Sequence, residues 1–218
     1  MAMLLSTGKS ISVLANTQFQ DNGNNTHDAT VAELRNGPGH ELTTFIEKDA
    51  VRTLLGQKGG AGIWIYPAVE VDLNDDLCMV AVASGADRIE LRNENENICF
   101  CCYTDASKST REISITEGGN MVNDRRPNNT IKNRAAFKDL VNDDRLKALF
   151  HRQQVQELLD ESGDMIRMEV VDMEFDDQSS PIRTIALASA DRTGSAPGKL
   201  AASLMPCPPD CPDDGGYL

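Results

Sequence analysis

The chain repeats itself, and this constrains its architecture more than any single motif does. When the 218-residue sequence is shifted by 104 positions, Asn24-Asn25-Thr26 falls on Asn128-Asn129-Thr130 and Leu42 falls on Leu146. In the same order, Val51 meets Val155, Leu54-Leu55 meets Leu158-Leu159, and Gly59 meets Gly163. Ala86-Asp87-Arg88 meets Ala190-Asp191-Arg192. One inserted residue at Gly85 brings Val80–Ser84 onto Ile185–Ser189. Matches that keep their order over so long a stretch argue for two copies of one unit of roughly 105–110 residues. The join falls near Ser107 to Ile113.

Each copy predicts the same elements. In the first, Leu42, Phe45, Ile46, Ala50, Val51, Leu54 and Leu55 recur at helical spacing, and Gly56, Gly59 and Gly60 end the helix. Gly62 to Tyr66 is β-branched and aromatic, which predicts a strand. Asp72 to Asp76 is a polar turn. Leu77 to Ala83 is an apolar returning strand that includes Cys78 as a core residue. In the second copy a helix is predicted from Arg145 to Ser162, stopped by Gly163. Strands follow at Met165 to Phe175 and Ile182 to Ala188. An opening helix is expected at Ser6 to Phe19. Its counterpart is a short helix at Ala135 to Val141, because Gly118-Gly119 and Pro127 interrupt the stretch before it.

The expected fold class is therefore α+β. It consists of two tandem helix-helix-strand-turn-strand units, with antiparallel hairpins joined into one sheet about a pseudo-twofold axis, since a lone hairpin is marginal in water. The units span residues 1–108 and 109–195. An extended tail rich in Pro, Gly and Cys covers 196–218.

The stretch Leu54-Leu55, Gly62-Ile63-Trp64-Ile65-Tyr66, Leu77 to Ala83 and Pro206-Cys207-Pro208-Pro209-Asp210-Cys211 resembles a group of small uncharacterised bacterial proteins. The chain departs from that group in carrying two units. It also has Cys99-Phe100-Cys101-Cys102 where the first Cys-Pro-Pro-x-Cys would fall. The resemblance implies no catalytic residue.

Composition narrows the partners. Lys and Arg number 21 against 34 Asp and Glu, for a net charge of −13. Phosphate backbones and anionic membranes need a basic footprint, and no cluster here exceeds Arg125-Arg126. No apolar run reaches the ~18–20 residues that span a bilayer. Met1–Leu5 is apolar but broken at Ser6, without a basic start, so it does not read as a secretory signal. The default location is the cytoplasm, with export by a signal-less route as the alternative.

Two sets of residues are candidates for a site. Cys99, Cys101 and Cys102 close the first unit, and Cys207 and Cys211 close the second. Thiolates in this number can pair as disulfides or hold zinc, although neither spacing matches the usual zinc pairs. The acidic turns offer Asp72, Asp75 and Asp76 in one copy and Asp176 and Asp177 in the other. These are weak calcium candidates beside the simpler reading of solvated hairpin turns. Gly56 to Gly62 follows a helix and opens a strand, the reverse of a phosphate loop. His27, His40 and His151 pair with no nucleophile at recognisable spacing. No catalytic residue and no cofactor is expected. The sequence reads as a non-enzymatic structural or interaction protein that self-assembles into a homo-oligomer or filament. The alternative is a metal- or redox-responsive binding protein using the two cysteine clusters.

Overall fold

A computed structural model describes residues 19–20, 26–27, 31–35, 42–70, 76–125, 146–175, 182–194, 200–202 and 206–207. Short strands β1 (Phe19–Gln20) and β2 (Thr26–His27) pair as a separate ribbon, and β3 is Val31–Arg35. Then come β4 (Thr43–Glu47), α1 (Lys48–Gly56), β5 (Gly62–Glu70) and β6 (Asp76–Ser84). Next are β7 (Cys99–Tyr103), β8 (Arg111–Ile113) and α2 (Ile115–Arg125). The second half supplies β9 (Lys147–His151), α3 (Arg152–Leu159), β10 (Met165–Phe175) and β11 (Ile182–Ala190). It ends in β12 (Leu200–Ala202) and β13 (Pro206–Cys207).

This is not the expected α+β tandem. The described residues are mostly antiparallel sheet, nearly closed like a barrel, with three helices among them. Along the sheet the order is β12-β11-β10-β4-β7-β6-β5-β9-β13, with β3 on β10 and β8 on β7. Strands β9 and β13 come round beside β11, which brings the two ends of the sheet together.

The correction has a local cause. The start of each long predicted helix is a strand: β4 takes Thr43–Glu47 and β9 takes Lys147–His151. Leu42, Thr44 and Ile46 alternate with Thr43, Phe45 and Glu47, so a period of 2 fits these residues as well as a period of 3.6 does. Leu146, Ala148 and Phe150 do the same in the second half, and all three reach the core. The expected helix at Ser6 to Phe19 lies outside the described residues except Phe19, which is in β1. That at Ala135 to Val141 lies outside them altogether.

The order strand-helix-strand-strand thus occurs twice, as β4-α1-β5-β6 and β9-α3-β10-β11. The two stretches exchange their first strands. β4 pairs antiparallel with β10, Ile46 opposite Ile166, and β9 pairs with β5, Phe150 opposite Ile63. The helices are cross-linked in the same reciprocal way. Lys48 N donates to Asp164 O at 2.9 Å, and Arg152 N donates to Ala61 O at 2.8 Å. Lys48 Nζ donates to Leu159 O at 3.5 Å and Glu161 O at 2.8 Å. Arg152 Nη2 donates to Leu55 O, and to Gly60 O at 2.7 Å. Neither helix has a basic residue in its own last turn. Each borrows a cation from the first residue of the other, where it meets the negative helix end and its unpaired carbonyls.

One core fills the barrel. Ile63, Ile65, Met79 and Ala81 from the first hairpin meet Ile166, Met168, Ile185 and Leu187 from the second. Val51, Leu54 and Leu55 of α1 and Val155, Leu158 and Leu159 of α3 complete it. A second apolar layer lies on the opposite face of β5, β6 and β7, under α2.

Gly163, at φ +97°, turns the chain into β10, and a Cβ there would sit 2.3 Å from Ala190 O. Gly59 turns the first half at φ +88°, where a Cβ would meet only Leu91 Cδ2, at 4.0 Å.

Candidate functional site

The layer under α2 gathers the chemistry. Pairing between β6 and β7 sets Cys78 opposite Tyr103 and Val80 opposite Cys101, so Cys78 and Cys101 are diagonal neighbours on one face. Pairing between β7 and β8 sets Cys101 opposite Arg111 and Cys99 opposite Ile113. Strand alternation then puts Cys78, Cys99, Cys101 and Tyr103 on the α2 side and Cys102 on the barrel side. The four cysteines whose side chains are described, Cys78, Cys99, Cys101 and Cys102, are buried, with no disulfide among them.

Arg111 is the hub at the rim of this layer. Its guanidinium contacts Glu70 Oε1 at 2.7 Å and Glu117 Oε1 at 2.6 Å, and its Nε donates to Tyr103 Oη at 3.1 Å. Tyr103 Oη in turn donates to Glu70 Oε1 at 3.4 Å. The other oxygen of Glu70, Oε2, is buried without a hydrogen-bond partner among the described residues. Burial pushes the Tyr103 phenol up to about 12, against the opposing pull of Arg111.

The thiols differ from one another. A hydrogen bond from Cys78 lowers the Cys101 thiol below its ordinary range, overcoming burial, with Arg111 and Tyr103 acting in the same sense. That hydrogen bond raises Cys78, which burial raises further. Burial raises Cys102, against the smaller opposing pull of the Ala81 backbone. Cys99 Sγ donates to Ser114 O at 3.2 Å, where α2 begins.

A second polar cluster lies where β5 meets β9. Glu90 is almost fully buried and receives the Tyr66 hydroxyl, while its Oε2 meets Arg92 at 3.0 Å. Lys147 lies 3.8 Å from Glu90 Oε1 and 4.7 Å from the centre of the Trp64 ring. Each charge here has an opposite charge or a ring face beside it, as a buried ion requires.

The predicted site residues are dispersed. Cys99 and Cys101 come together, Cys102 faces away from them, and Cys207 enters β13, where only its backbone is described. Cys211 lies outside the described residues, as do Asp72, Asp75, Asp176 and Asp177. Asp76 opens β6 opposite Glu70. No group of three or more His, Cys, Asp or Glu among the described residues is arranged to hold a metal ion. No described helix is long and apolar enough to cross a membrane.

Sequence reasoning missed Glu70, Tyr103, Arg111 and Glu117; its reading of Cys78 as a core residue holds, but it missed the meeting of Cys78 with Cys101. These residues meet through strand register, which leaves no mark in local spacing. The Ser114-Ile-Thr-Glu117 box was the one available signal for α2, and Ser114 Oγ does accept from Glu117 N at 3.1 Å. No protein-family model, no curated protein and no solved structure matches this chain.

Proposed function

We propose that the chain is a non-enzymatic interaction protein that associates with copies of itself. The observation behind this reading is how the described polar groups are used. Arg111, Glu90, Lys147, Arg167 and Glu169 all turn to partners within the molecule, and the barrel interior is filled by apolar side chains. A substrate site needs converging groups left unspent and a concavity to receive the ligand. Backbone edges are the remaining resource. Among the described residues β3, β8, β12 and β13 each have a named strand on one side only. Another chain can add a strand at such an edge. The two halves also present similar elements at related places, which suits stacking of like on like.

Light scattering and negative-stain microscopy of the purified chain test this reading. A defined oligomer or filament whose population grows with protein concentration is the expected result. A monomer at every concentration, with and without reductant, overturns it.

A further inference from the structure

We propose that Cys101 is a thiol-modification site, with Cys78 as its resolving partner, and that its substrate is a small disulfide admitted when α2 lifts from the sheet. The inference is independent of self-association. It rests on three observations about one face.

The first is the pairing of thiols. Cys78 and Cys101 are diagonal neighbours on one face of the β6–β7 pair, both buried. The second is the surroundings of Cys101. The Arg111 guanidinium comes from the directly opposed residue, and the Tyr103 hydroxyl lies two residues along the same face. Thiolates attack disulfides, and a neighbouring guanidinium favours the thiolate. Glu70 and Glu117 work against Arg111 electrostatically, and the donated bond from Cys78 tips the balance.

The third is the cover. Helix α2 buries Ile115, Met121 and Val122 over Cys78, Cys99 and Cys101. Gly118 and Gly119 are buried in its middle. Glycine is the poorest helix former after proline, so α2 is held by its contacts and its Ser114 cap rather than by propensity. Helices held in this way open locally well before the whole fold does.

The chemistry balances in two exchanges. The sulfur of Cys101 attacks one sulfur of the small disulfide. The S–S bond of the reagent breaks, a mixed disulfide forms on Cys101, and one small thiol leaves with the proton from Cys101. Cys78 then attacks the Cys101 sulfur, the mixed disulfide breaks, and a second small thiol leaves with the Cys78 proton. The protein thiols are oxidised to one disulfide and the reagent is reduced to two thiols. Diagonal strand positions lie farther apart than an unstrained disulfide allows, so β7 must shift at its Tyr103 end. Strained bridges of this kind are the readily reduced ones.

The test uses the full chain, folded and reduced, with glutathione disulfide as the probe and peptide mapping by mass spectrometry. The expected product is a Cys78–Cys101 bridge reversed by dithiothreitol. Cys78→Ser should stop at the glutathione adduct on Cys101. With iodoacetamide, Cys101 should be alkylated at least tenfold faster than Cys102, which lies on the barrel face. Ser114→Ala, which removes the cap of α2, should speed Cys101 about fivefold and leave Cys102 unchanged. If Cys101 and Cys102 react at equal rates in the wild-type chain, only global unfolding exposes them and the proposal falls. A bridge that omits Cys78 or Cys101 overturns it as well.

Discussion

Trp64 and Tyr66 of β5 occupy the places that Arg167 and Glu169 occupy on β10. Their cross-strand neighbours also correspond: Trp64 lies opposite Leu149 of β9, and Arg167 opposite Phe45 of β4. Between them, facing inward, Ile63 and Ile65 match Ile166 and Met168. The inward residues keep one chemistry because they share one core. The outward residues differ because different things cover them. On β5 the cover is α2, and the rings lie beneath it with Lys147 against their faces. On β10 Arg167 and Glu169 pair with each other at 3.1 Å, Thr43 reaches Glu169 at 3.4 Å, and Gly194 O accepts from Arg167 at 3.4 Å. Both solutions are buried. The aromatic one needs only area and a cation on its face, whereas the ionic one needs each charge to keep its partner.

That difference is open to direct attack. Arg167→Ala leaves Glu169 buried and unpaired, and should cost about 3–5 kcal/mol in urea unfolding. Replacing both members with leucine should cost far less, or stabilise by about 1–4 kcal/mol, since an apolar pair avoids the desolvation of two ions. A double variant as unstable as the single one would mean that the pair is needed for more than charge balance. The turn glycines give the next contrast. Gly163→Ala combines a positive φ with a clash against Ala190 O and should cost more than about 2 kcal/mol. Gly59→Ala carries the strained φ alone and should cost about 1–2 kcal/mol. Equal losses at the two positions would show that the clash relaxes without cost.

The smallest expected effect concerns acid. His151 ends β9 and stands at the N-cap of α3, where the Gln154 side chain accepts from His151 N at 3.1 Å. Burial, with Arg88 nearby, holds its imidazole below the ordinary value of 6.5. The unfolded chain therefore binds this proton more readily than the folded one. The contribution of His151 is present above pH 6.5 and lost as pH falls through the lower folded value. His151→Gln removes the titrating ring and should flatten the loss of stability as pH falls below 6.5. The corresponding residue of the first half, Glu47, carries no imidazole. Glu47→Gln should leave the histidine-linked slope between pH 6.5 and the folded value unchanged.

How much of this could be read in the sequence depends on distance along the chain. The hairpin strands β5, β6, β10 and β11 form where β-branched and apolar runs predict them, because segments close together in the sequence pair with each other. Strands β4 and β9 were hidden inside helical spacing. Leu42 and Ile46 fit both periods, and only pairing with β10, more than a hundred residues away, decides between them. Helix α2 was hidden by Gly118-Gly119, which propensity forbids and packing on β5 overrides. The grouping of Cys99 with Cys101 was legible from spacing. Their separation from Cys102, and their meeting with Cys78 and Arg111, follow from register alone.

The exchange of first strands also sets a timetable. Thr43 and Glu169 touch across 126 residues, so β4 has no β10 to pair with until most of the chain has been made. Strand β5 likewise waits for β9. Through most of synthesis the first half has apolar strands with unfilled edges and a helix whose C-terminal carbonyls lack the cation that Arg152 will bring. Contacts of such long sequence separation close slowly, and open edges in the meantime invite the wrong partner. In the finished molecule β4 lies between β10 and β7, and β5 between β6 and β9, so the most exposed moment of these two strands comes at the ribosome.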